Sequence, residues 1–146
     1  MAKGIKKLNG NTLSKKVFKN LIKIDKLGFL EQYAVFMGKT QLVELEMKGL
    51  LIRKYGYNED KIIKFTLGRT IIELKKSGLR KDFVKLLEGL LDYRNDLAHE
   101  FLGITAYLES IRKGAGRLQH KQLRYALFAV EEIIIVYDFF SKNGYF

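Results

Sequence analysis

Three features of this sequence predict an all-α fold, an antiparallel up-and-down bundle of four to five helices. First, there is no proline anywhere in its 146 residues. Proline breaks helix interiors by removing a donor and clashing with the preceding turn, so its absence leaves long helices unobstructed. Second, Leu, Lys, Ile and Glu are abundant, and third, apolar residues recur at helical spacing. A hydrophobic fraction of 47% is enough to build one real core, so a single domain over residues 12–146 is expected.

Residues 1–11 carry Gly4, Asn9, Gly10 and Asn11 and read as a loose basic segment. Thr12 or Ser14 can cap a first helix over residues 12–27, with Val17, Leu21 and Ile24 on its apolar side and Gly28 ending it. A second helix follows over residues 30–54, with Tyr33, Phe36, Met37, Leu42, Leu45, Leu50 and Leu51 as core candidates. Tyr55-Gly56-Tyr57-Asn58 breaks it. Thr66 can cap a short helix through residue 76, and Ser77-Gly78 then turns the chain into a fourth helix over residues 80–99. Gly103 interrupts the pattern, residues 104–112 read as a short helical turn, and Lys113-Gly114-Ala115-Gly116 reads as a hinge. That glycine pair follows no strand and lacks both the P-loop Lys-Ser/Thr and the dinucleotide spacing, so it is no phosphate-binding fingerprint.

The last helix, over residues 118–141, has one stripe at Leu123, Ala126, Leu127, Val130, Ile133, Ile134 and Tyr137 and a second at Phe128, Ile135 and Phe139. A helix apolar over so much of its circumference is either central in a bundle or covered by a partner, and dimerisation is one economical explanation.

The absence of cysteine excludes disulfides, thiol nucleophiles and thiolate metal sites. Glu44 and Glu46 have no histidine near them, and His99 and His120 are not at metal-ligand spacing, so no metal or other cofactor is called for. The longest apolar run near the C-terminus, residues 133–137, is far short of the ~20 residues a membrane span needs. The N-terminal lysines flank no apolar signal core, and a soluble, cytoplasmic protein is expected.

The net charge of +11 is unevenly placed. Residues 1–28 hold eight lysines against Asp25, including Lys15, Lys16, Lys19 and Lys23. Residues 112–124 hold Arg112, Lys113, Arg117, Lys121 and Arg124 with no acid among them. Each cation that neutralises a phosphate releases counterions, so these residues are candidate contacts to RNA. A merely solvated surface, or an acidic protein partner such as an antitoxin or inhibitor, is compatible with the same charge. Tyr55, Tyr57, Phe101, Tyr107 and Tyr125 are conceivable stacking platforms, although most aromatic residues here sit at helical spacing and are more simply core.

The most informative stretch is Tyr93-Arg94-Asn95-Asp96-Leu97-Ala98-His99-Glu100, at the end of the fourth helix. Phe83, Leu86, Leu87, Leu90, Leu91, Leu97 and Ala98 define one face, and Arg94 projects from its middle; Lys81, Lys85, Glu88, Asp92 and Asp96 make the solvated face. An unpaired guanidinium is costly to bury, so Arg94 needs a polar partner, a wet cleft or a second molecule. Asn95 and His99 are four apart and neighbours, whereas Arg94 and His99 lie roughly 140° apart around the axis. Arginine's fork suits phosphate oxygens, and histidine can take and give a proton near neutrality. Arg, Asn and His at a helix end also serve as a structural polar cluster that caps carbonyls.

The run from Arg94 to His99, with a Leu-rich helix before it and a long helix after it, resembles the signature of the HEPN superfamily: an Arg, a polar residue, and a His four to six intervening positions after the Arg. The resemblance covers roughly residues 29–141, and its specific part is these six positions. It implies a helical bundle that dimerises through the motif region and, in many members, a metal-independent endoribonuclease acting as a toxin, an abortive-infection effector in phage defence, or an RNA-processing enzyme. By the same resemblance Arg94 contacts the scissile phosphate, Asn95 orients the site and His99 is the acid–base residue. In members paired with a nucleotidyltransferase antitoxin, a tyrosine two places after the histidine can be modified; here that place is Phe101, so that control is unavailable at this position. Two His99 side chains across a two-fold axis would divide the base and acid roles. The alternative is a non-catalytic HEPN-like module binding nucleic acid or an acidic partner, with Arg94, Asn95 and His99 at a structural interface.

Overall fold

The computed structural model of the chain describes residues 9–100 and 116–146. Among them are six helices and no strand: α1 (Gly10–Asp25), α2 (Phe29–Tyr55), α3 (Glu59–Ile62), α4 (Leu67–Ser77), α5 (Lys81–Glu100) and α6 (Gly116–Asn143). The all-α expectation is met, and the predicted turn over residues 104–112 and hinge over residues 113–115 lie outside the described residues.

Local chemistry sets the boundaries. The first helix begins earlier than predicted, because Asn9 rather than Thr12 or Ser14 caps it: Asn9 Oδ1 accepts from the Thr12 amide at 2.8 Å. Asparagine is the stronger N-cap, and the loose segment is correspondingly shorter. Thr66 caps α4 as predicted, accepting from the Arg69 amide at 3.2 Å. Gly28 does not close α1, which ends at Lys26; it immediately precedes α2 instead. Gly78 closes α4 in the left-handed region with φ 96°, and the amides of Gly78 and Leu79 return to the carbonyls of Lys75 and Leu74 at 3.3 and 3.1 Å. That paired return is the Schellman arrangement, and its hydrophobic residue, Leu79, is buried. Asn58 caps the single-turn α3, which the sequence pattern does not predict.

Helix α6 is central. It packs against α1, α2 and α5, while α4 joins α2 to α5. This accounts for its breadth of apolar residues: Leu123, Ala126, Leu127, Val130 and Ile133 are buried, and Ile134, Tyr137, Phe128, Ile135 and Phe139 are partly covered. Contacts fix the directions. Asn20 meets Glu131 while Asp25 meets Arg124, so α1 runs antiparallel to α6. Lys39 meets Glu131 while Glu46 meets Tyr137, so α2 and α6 run the same way. The bundle therefore departs from the strict up-and-down order expected. The segment after α2 is the reason: it carries the chain back along α2, where Lys48 Nζ donates to the Ile63 carbonyl at 3.4 Å, before α4 starts.

Two predicted core residues are not in the core. Leu42 and Leu45 are 60% and 62% exposed, and the buried face of α2 is Phe36, Thr40, Val43, Met47, Leu50 and Leu51. Apolar residues occupy both sides of α2, and periodicity alone does not say which side turns inward. No helix among the described residues is long and apolar enough to cross a membrane.

Candidate functional site

Helix α5 positions the motif. Its first turn is anchored by Arg80, whose guanidinium donates to both oxygens of Asp82 at 2.7 Å and lies 3.8 Å over the Phe140 ring. The hydrogen bond from Arg80 is the main cause that holds the Asp82 carboxyl below its usual range. Phe83, Leu87, Leu90 and Leu97 are buried along the inner face, and the Phe83 ring packs against Phe146 at 5.2 Å and Phe140 at 6.1 Å. This apolar seam fixes the rotation of α5 and hence the directions of the residues in its last two turns.

Arg94 is half-buried on that inner side, between the levels of Leu90 and Leu97. Its Nη1 donates to Asn95 Oδ1 at 3.2 Å, and among the described residues it forms no ion pair. Asn95 is exposed, and so is His99 one turn on. The structure thus brings Arg94 and Asn95 together and does not bring His99 to either by a hydrogen bond among the described residues. The angular separation expected on the helix is retained. One copy of the chain presents an uncompensated guanidinium and a free imidazole as two separate groups. Phe101 lies outside the described residues.

The candidate RNA contacts fall into distinct groups. Lys15, Lys16, Lys19 and Lys23 are exposed on α1. Lys121 is exposed on α6, but Arg124 is already ion-paired with Asp25 and contributes less free charge than expected. Arg112, Lys113 and the Arg117 side chain lie outside the described residues.

Sequence reading missed a buried pair. Glu131 is 2% exposed on the central helix, with Lys39 of α2 ion-paired at Oε1 and the Asn20 amide donating to Oε2 at 3.1 Å. Burial lowers the Lys39 pKa. The one signal was two acids, Glu131 and Glu132, inside the most apolar helix. Above the pair a cleft of about 290 Å³ is lined by Lys19, Asn20, Lys23, Ile24, Lys39 and Glu131. Glu132 faces a different cavity, of about 260 Å³, whose wall includes Leu13, Leu86, Val136 and Phe139, and burial raises its pKa. No cluster of three or more His, Cys, Asp or Glu side chains among the described residues is arranged to hold a metal ion. No protein-family model, no curated protein and no solved structure matches this chain.

Proposed function

We propose that this chain is a metal-independent endoribonuclease of the HEPN type, acting as a toxin, a phage-defence effector or an RNA-processing enzyme. The observation that carries the reading is the state of Arg94: a half-buried guanidinium held by Asn95, with no carboxylate to neutralise it among the described residues, one turn from an exposed His99. A structural arginine in an apolar face is ordinarily paired with an acid, whereas a phosphate-binding one is left available.

The chemistry is a transesterification. Neutral His99 removes the proton from a ribose 2′-hydroxyl, whose oxygen attacks the adjacent phosphorus. The bond to the 5′-oxygen breaks, leaving a 2′,3′-cyclic phosphate, and the departing oxygen takes a proton. Arg94 stabilises the charge that grows on the phosphate oxygens. A single imidazole cannot give the second proton while still holding the first, and in one chain Arg94 and His99 diverge. A homodimer in which His99 of the partner subunit supplies the acid resolves both points.

The test is incubation of the purified protein and His99→Ala with mixed transfer, ribosomal and messenger RNA in chelator. Cyclic-phosphate-ended fragments from the parent alone are expected. A folded, dimeric parent that leaves all three RNAs intact would overturn the reading in favour of a non-catalytic binding module.

A further inference from the structure

We propose that the cleft between α1 and α2, floored by the Lys39–Glu131 pair and edged by Lys19 and Lys23, binds a backbone phosphate of RNA at a distance from Arg94 and His99. The proposal rests on the reading above in taking RNA as the partner. No residue of α5 lines this cleft among the described residues, so it is a second point of attachment rather than part of the motif site.

Lys19 and Lys23 are four residues apart on α1 and so share a face. Both are exposed, and neither has an ion pair among the described residues. Beneath them the only carboxylate of the lining is fully engaged, one oxygen by Lys39 and the other by the Asn20 amide. The floor is therefore close to neutral as a unit, and the cleft as a whole keeps two uncompensated positive charges. Its volume of about 290 Å³ corresponds to roughly ten waters at ~30 Å³ each, room for a phosphate with part of its hydration shell.

Burial already disfavours the charge on Lys39, and a nearby anion would offset that cost. Arg124 has spent its charge on Asp25, and Lys15 and Lys16 do not line the cleft, so the ordered cationic site is narrower than the run of basic residues from which it is drawn.

The experiment is performed in the His99→Ala background, so that binding is read without cleavage. Fluorescence anisotropy with a labelled single-stranded RNA is measured over a range of KCl for three proteins: the background, K19Q/K23Q, and K61Q/K64Q. The control pair removes the same charge from exposed lysines elsewhere on the surface. The expected result is a drop of about 1.4 in the magnitude of the log–log salt slope for K19Q/K23Q, from ~0.7 per lost single-strand contact. The control is expected to lose little. Inorganic pyrophosphate should raise the thermal midpoint of the background and not of K19Q/K23Q, whose fold is checked by circular dichroism.

Equal slope losses in both variants, or an unchanged slope in K19Q/K23Q, would overturn the site. So would phosphatidylserine vesicles taking up the protein in a Lys19/Lys23-dependent way while RNA does not bind. If the parent fails to cleave RNA but the slope difference stands, the nuclease reading falls and the phosphate site survives.

Discussion

Lys39 and Glu131 form an ion pair across 92 residues of sequence, and the glutamate is 2% exposed on the central helix. Removing one partner leaves the other charge stranded in an apolar interior. Lys39→Met is expected to cost about 3–5 kcal/mol in urea denaturation. Joint replacement, Lys39→Met with Glu131→Leu, should recover most of that loss, because an apolar pair of similar volume replaces a pair that must be desolvated. A double variant no more stable than the single would show that the pair does more than neutralise itself.

Asn95 holds Arg94 by one hydrogen bond at the surface. Asn95→Ala should leave stability within about 0.5 kcal/mol, as for most exposed positions. Under the proposed function it should lower RNA cleavage by up to about a hundredfold through loss of orientation. Asn95→Asp keeps the geometry but neutralises the guanidinium, and is expected to fall below Asn95→Ala. Cleavage kinetics on one RNA substrate compare the two; an active Asn95→Asp would be inconsistent with Arg94 acting on a phosphate.

Glu132 is raised from its ordinary range by burial, with no partner among the described residues. For an acid with a raised folded-state pKa, the folded chain holds the proton more tightly than the unfolded one. Its stabilising effect is complete below the unfolded value of about 4.3 and is lost as pH rises through the folded value. Glu132→Gln should therefore melt higher than the parent at pH 7, with the gap closing near pH 4. Thermal melts across that range check the sign; a gap that widens on acidification would contradict it.

Leu45 and Leu51 lie on the same helix with opposite surroundings, 62% exposed and fully buried. Leu51→Ala should cost about 2–5 kcal/mol through lost burial and a residual cavity. Leu45→Ala should stay within about 0.5 kcal/mol. Urea midpoints distinguish them, and comparable losses would mean that the outer face of α2 is covered in solution.

Legibility in the sequence followed the number of apolar faces. Helix α5 has one seam, so both its extent and the outward displacement of Arg94 from His99 could be read from 100° per residue. Helix α2 has two, and Leu42 and Leu45 were placed on the wrong side. The single turn α3 is too short for any period to register, and the return it makes possible changes the direction of α2 relative to α6. Thr66 was visible as a cap because nothing stronger precedes it nearby, whereas Thr12 had Asn9 ahead of it. At the candidate site, residue identities were legible but the Lys39–Glu131 floor was not, since no local window contains both partners.

The central position of α6 has a consequence for how the chain is made. Synthesis delivers α1 to α5 before the helix on which α1, α2 and α5 pack. Until residues 116–143 leave the ribosome, Val17, Leu21, Phe83 and Leu87 lack the helix that closes their core. The nascent protein thus carries open apolar seams for most of its translation, and a holding chaperone would find its longest opportunity on this chain before the last described helix emerges.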